Sequence, residues 1–157
     1  MGTFSIWHWL IVLVIIGLPL VFVLRSAPEG ANRFGDTPAA MNFAEAISSF
    51  FRNYVNFSGR ASRSEFWYSY LFLILVAFVM GIADELVQSK IASSIWNLVV
   101  FLPTIAMSAR RLHDINRSGW HQLLALLFPI GTIALIIWFC KKSDNTGTLR
   151  EMQKVFG

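Results

Sequence analysis

Four long apolar runs, at residues 4–24, 66–83, 92–108 and 119–140, contain no Asp, Glu, Lys or Arg. Only His8 and His121 could carry charge inside them, and both lie near an end. A run of about 18 or more apolar residues can cross a hydrocarbon core of roughly 30 Å as a helix. In that core the backbone must satisfy its own polar groups, which leaves a helix or a closed barrel. Charged residues make up only 14% of this 157-residue chain, against about 25% in a soluble domain. The pattern predicts an all-α integral membrane protein with four transmembrane helices, and it leaves no room for a separate soluble domain.

Residues 1–24 read as an uncleaved N-terminal transmembrane helix. Their start lacks Lys and Arg and their apolar stretch is 21 residues long, beyond the roughly 7–15 residues of a signal-peptide centre. Trp7 and Trp9 suit a membrane interface. Residues 25–41 are rich in Pro, Gly, Ala and Asn and read as a loop. In residues 42–57, Phe43, Ile47, Phe50, Tyr54 and Phe57 recur at helical spacing on one face. This amphipathic helix is expected either to lie in the interface plane or to pack against the bundle.

Residues 58–142 carry the other three spans. Ser62-x-x-Glu65 has the form of a capping box, which starts a helix near Arg63. Trp67, Tyr68 and Trp120 are expected interface anchors. Asp84 to Lys90 reads as a polar turn, Arg110 to Arg117 as a second polar loop, and residues 143–157 as a polar tail.

Four spans place eight cationic residues (Arg25, Arg33, Arg52, Arg60, Arg63, Arg110, Arg111 and Arg117) on one side. The other side then has five: Lys90, Lys141, Lys142, Arg150 and Lys154. Positive-inside bias puts the Arg-rich loops in the cytoplasm. Lys141 and Lys142 dissent, because they follow the last span directly. A hairpin bent at Pro129-Ile130-Gly131 is the alternative, and it returns the tail to the Arg side.

Two motifs could carry chemistry. Gly59-Arg60-Ala61-Ser62-Arg63-Ser64-Glu65-Phe66-Trp67 precedes the second span, and Arg110-Arg111-Leu112-His113-Asp114-Ile115-Asn116-Arg117-Ser118-Gly119-Trp120 joins the third to the fourth. A hairpin of the second and third spans brings both motifs to one membrane face. Glu65 and Asp114 can then pair bidentately with arginines of the opposite motif. Because five arginines exceed two acids, an anion site for a phospholipid headgroup is the other reading. His113-Asp114 does not make a catalytic pair, since adjacent helical residues do not face each other. No nucleophile stands nearby, Cys140 has no disulfide partner, and no His/Cys set has metal-ligand spacing. No enzyme, cofactor or metal is expected. The net charge of +4 fits anionic lipid better than nucleic acid, because the arginines flank apolar spans.

At these motifs the chain resembles the bacterial inner-membrane proteins grouped as domain of unknown function 805, over about Asn53 to Lys142. Gly59–Trp67 and Arg110–Trp120 are similar to that family's Gly-Arg-x-x-Arg-x-Glu-aromatic-Trp and Arg-Arg-Leu-His-Asp motifs. The resemblance implies a multi-spanning inner-membrane protein without an agreed activity. One departure stands out: an Asn-Arg-aromatic-Gly segment that often ends such proteins here follows the first span, as Asn32-Arg33-Phe34-Gly35. Residues 2–14 are also similar to the start of the twin-arginine translocase pore subunit. The Phe-Gly hinge and Lys-rich helix expected next are absent, so no translocation role follows.

The expected function is a multi-pass structural or interaction protein whose Arg-rich cytoplasmic loops engage anionic lipid headgroups or a partner. A small oligomeric channel or transporter is the alternative. Ala77-x-x-x-Gly81 and Thr104-x-x-x-Ser108 allow close helix approach and self-association as a homo-oligomer.

Overall fold

The computed structural model describes residues 31–145. A two-stranded antiparallel hairpin, β1 (Ala31–Asn32) and β2 (Gly35–Asp36), comes first. Helix α1 (Phe43–Arg52) follows, then α2 (Arg63–Val87) and α3 (Ile91–Asp114). A 3₁₀ helix (Gly119–Leu126) and α4 (Ile130–Cys140) complete the described chain. The predicted helix at 1–24, with Trp7 and Trp9, and the tail beyond 145 lie outside the described residues.

Helices α2 and α3 are the only two among the described residues long and apolar enough to cross a membrane. At 25 and 24 residues each extends roughly 36 Å at 1.5 Å per residue. They run antiparallel: a short turn joins them at one end, and at the other the Ala61 amide donates to the Arg110 carbonyl at 3.0 Å. Gln88 closes α2 in the left-handed conformation, with φ of 51°.

Both helices run past the apolar limits read from the sequence. Asp84 and Glu85, expected in a turn, belong to α2. Arg110 to Asp114, expected in a loop, form the last turn of α3. Polarity did not end α3 there because its charged side chains are buried and paired, as described below.

Ser62 caps α2 by accepting from the Glu65 amide at 3.1 Å. The Glu65 side chain does not reach back to complete a capping box; it turns to Ser49 and Arg110. The complete box is at α1, where Asn42 and Glu45 bond each other's amides at 2.8 and 2.9 Å.

α1 packs against the first turns of α2 through Ala46, Ser49 and Phe50. Phe43 meets Tyr68 edge-on and Phe51 meets Phe72 likewise. The packed stripe is therefore shifted from the expected Phe43, Ile47, Phe50, Tyr54 and Phe57 face. Phe43, Phe51, Val55 and Phe57 remain exposed.

Tyr54 has a specific task. Pro103 lies inside α3 and lacks the N–H that would reach the carbonyl of Val99, four residues earlier. The Tyr54 hydroxyl donates to that carbonyl instead. A hydroxyl from the turn just after α1 thus repairs the break and ties that turn to α3, a contribution of about 1 kcal/mol.

Residues 119–140 depart from the expected single spanning helix. The 3₁₀ leg rises about 2.0 Å per residue and α4 about 1.5 Å, so 8 and 11 residues make two matched legs of roughly 16 Å. Both outer ends meet the end of α3. A Cβ on Gly119 would stand 2.8 Å from the Ala109 Cβ, and Arg111 holds the carbonyls of Phe139 and Lys141. The segment leaves and returns at one end of the helix pair, as a hairpin. Pro129 supplies the break, and Gly131 lets the legs touch, since a Cβ there would lie 1.8 Å from the Leu124 carbonyl oxygen. Leu112, Ile115 and Leu135 form the small core beneath it, flanked by Leu124, Trp138 and Phe139. The expected 58–142 unit with three transmembrane helices (66–83, 92–108, 119–140) is thus two long helices and a short-legged hairpin.

Candidate functional site

The end of the helix pair that gathers the loops is built from charge. Arg60, Arg63, Arg110, Arg111, Glu65 and Asp114 are all 8% exposed or less. Uncompensated charges at that depth would be unaffordable, so each carboxylate takes guanidinium partners. The pairing crosses between motifs in both directions. Arg60 binds Asp114, with Nε and Nη2 at 2.9 and 2.8 Å from Oδ1. Arg110 Nη1 donates to Glu65 Oε1 at 2.8 Å.

Asp114 is the hub. Its second oxygen accepts from Arg111, one helical turn back, and from Ser143 Oγ at 2.7 Å. Its carbonyl accepts the Asp144 amide at 2.9 Å. Arg111 spends its other donors on the carbonyls of Phe139 and Lys141. One carboxylate therefore ties the loop before α2, the last turn of α3 and the chain leaving α4 into a single clasp.

Glu65 forms the second centre. Its Oε1 also accepts from Ser49 Oγ at 2.9 Å, and Ser69 Oγ donates to the Ala46 carbonyl at 3.1 Å. These bonds seat α1 on α2.

The β1–β2 hairpin closes the clasp from outside. The Asn32-Arg33-Phe34-Gly35 segment, displaced in chain order from the family pattern, is docked here. Asn32 Nδ2 donates at 3.0 Å to the carbonyls of His113, in the last turn of α3, and Asp144, in the chain after α4. Phe34 stacks on the His113 ring at 3.9 Å and 5°. Arg33 lies over Phe34 and donates to the Asn116 carbonyl at 3.1 Å. The Gly35 carbonyl accepts from Arg60 Nη1 at 2.9 Å.

The remaining candidates separate. His113 is half-buried, with Nδ1 3.1 Å from the Gly59 carbonyl, and does not touch the Asp114 carboxylate. Arg117 leaves the acids and lies 3.9 Å over the Trp138 ring. Trp120 is 78% exposed at the start of the hairpin. Tyr68 is half-buried beside Phe43. Trp67, expected as an interface anchor, is buried with Phe50, Phe66, Val100 and Met107, because its helical face points at α3. Among the described residues no group of three His, Cys, Asp or Glu side chains could hold a metal ion.

Sequence reasoning missed Ser49, Ser143 and Asn145 as parts of this site. Asn145 Oδ1 accepts from Arg60 Nη2 at 2.8 Å. Nothing in their spacing marks them, since they stand 16, 29 and 85 residues from Glu65, Asp114 and Arg60 respectively. Asn32 and Phe34 carried a signal, the displaced Asn-Arg-aromatic-Gly segment, but no contact could be read from it.

The chain belongs to the family described as Protein of unknown function (DUF805), whose model matches residues 54–148. The two motifs of the clasp lie inside that match, and the β1–β2 hairpin lies before it. Inner membrane protein YhaH of Escherichia coli strain K12 is 40% identical over 96 residues, covering 57% of this chain and 79% of that protein. Inner membrane protein YhaI of the same strain is 37% identical over 99 residues, covering 62% and 84%. No solved structure matches the chain at a significant level.

Proposed function

We propose that this is a multi-pass inner-membrane protein whose clasped, cation-rich end engages anionic lipid, and that its role is structural or adaptor-like rather than catalytic. The helix pair spans the membrane. The hairpin of residues 119–140 re-enters it from the clasp side, because legs of roughly 16 Å reach about half of a 30 Å core. The location draws on the two relatives named as inner membrane proteins.

One observation carries the reading. With the hairpin returning at Asp114, the clasp end holds Arg33, Arg52, Arg60, Arg63, Arg110, Arg111, Arg117, Lys141 and Lys142, and the far turn holds only Lys90. That asymmetry orients the clasp toward the cytoplasm. It also removes the conflict that Lys141 and Lys142 posed for a fourth span.

The exposed cations available to the bulk anionic lipid surface are a separate set from the buried arginines of the clasp. Arg33, Arg52, Lys141 and Lys142 are exposed, and Arg52 ends α1, which also carries exposed Phe43 and Phe51. Each basic group near an anionic surface contributes about 1 kcal/mol at physiological salt. The triple variant Arg52→Gln, Lys141→Gln, Lys142→Gln is expected to bind phosphatidylglycerol roughly a hundredfold more weakly. Retention of that lipid by protein extracted from mixed phosphatidylcholine–phosphatidylglycerol nanodiscs measures this; equal retention by the variant contradicts the reading.

A small oligomeric channel or transporter is favoured by one feature. Asn97 sits in the apolar part of α3, exposed and without a side-chain hydrogen bond among the described residues. In lipid, such an amide is better satisfied by a second copy.

A further inference from the structure

The three arginines whose hydrogen bonds organise the clasp are unequally used. Arg60 and Arg111 each direct every guanidinium nitrogen at an acceptor. Arg110 uses only Nη1, on Glu65. Among the described residues its Nε and Nη2 have no hydrogen-bond partner, although the residue is only 4% exposed. These two nitrogens form the edge of the guanidinium fork that matches two oxygens of a carboxylate or phosphate. The indole N–H of Trp67 is likewise buried and without a partner among the described residues. Trp67 and Met107 share one buried cluster, and Met107 lies one helical turn before Arg110, which puts both donors near the clasp end of the α2–α3 pair.

Charge points the same way. Among the described residues, four buried guanidinium groups face two buried carboxylates, and counting half-buried Asp144 still leaves four cations against three anions. A buried donor without an acceptor carries its full desolvation penalty. An oxyanion would remove both the missing bonds and the excess charge. This end lies where the apolar part of α2 begins, at the depth of lipid phosphates when the pair spans a membrane.

We propose that the Nε–Nη2 edge of Arg110 binds one phosphoryl oxyanion, with the Trp67 indole as a neutral donor at the same end of the pair. The shared chemistry fits either a lipid headgroup phosphate or free phosphate. The source, though not the site, rests on the anionic-lipid reading above.

The full chain, purified in an uncharged detergent and stripped of lipid, is titrated separately with inorganic phosphate and with phosphatidylglycerol. Native mass spectrometry counts the adducts, and thermal unfolding reports stabilisation. A single phosphorus-containing adduct and a raised unfolding temperature are expected in at least one arm. Phosphate alone identifies a free anion as the source, and phosphatidylglycerol alone identifies the headgroup. Arg110→Lys keeps a cation for Glu65 and removes the fork, so affinity is expected to fall roughly ten- to hundredfold. Where that variant does not assemble, Trp67→Phe removes only the N–H, and a several-fold loss is expected. No adduct in either arm overturns the proposal, as does undiminished affinity in both variants. The exposed-cation variant of the previous subsection keeps this stoichiometric site while losing bulk lipid retention, so the two readings fail separately.

Discussion

Asp114→Ala is expected to destabilise the protein by about 3–5 kcal/mol, the range for breaking a buried ion pair from one side. The carboxylate is fully buried and accepts from Arg60, Arg111 and Ser143. Its removal leaves two guanidinium groups facing each other without compensation. It also frees the chain after α4, because Ser143 loses its anchor and Arg111 loses the partner that aims it at the Phe139 and Lys141 carbonyls. Reversible unfolding in mixed micelles with rising denaturing detergent measures the change. A loss under about 1 kcal/mol, the level of an exposed pair, contradicts the clasp.

Gly131→Ala is expected to cost about 3 kcal/mol, the upper end of the overpacking range, and to unseat the hairpin. The added Cβ would meet the Leu124 carbonyl oxygen at 1.8 Å and its carbon at 2.7 Å, and neither backbone atom can move without opening the two legs. Gly81→Ala is the matched control. Nothing lies within 4 Å of its added Cβ, and inside α2 the change is expected to be neutral or to gain up to about 1 kcal/mol in helix propensity. The same unfolding assay separates them; equal stability of the two variants refutes the tight approach of the legs.

Much of the fold was legible because hydrocarbon imposes simple rules. The apolar bodies of α2 and α3 stand out as uncharged runs, and the short polar stretch between them makes the hairpin. The pairing partners at the clasp were visible as chemistry, two acids among five arginines in motifs that a helical hairpin brings together. Helix ends were less legible. Arg110 to Asp114 read as loop because charge normally ends an apolar helix, yet here each charge is buried against an opposite one. Residues 119–140 have the length and composition of a span, and only Pro129 and Gly131 hint at a break. That hint becomes decisive only beside Arg111 and Asp114, which capture the returning chain. The docking of Asn32 and Phe34 was hidden for the same reason, since it depends on contacts made about eighty or more residues away.

The central claim is that residues 119–140 return to the side they leave, so that the clasp gathers the loop before α2, the end of α3 and the chain after α4. Membrane-impermeant maleimide labelling of single-cysteine proteins, in a Cys140→Ser background, tests it most directly. Ser58→Cys and Lys142→Cys are predicted to label from one face of the membrane, and Ser89→Cys from the opposite face. Labelling of position 142 together with position 89, from the face opposite position 58, would contradict the account.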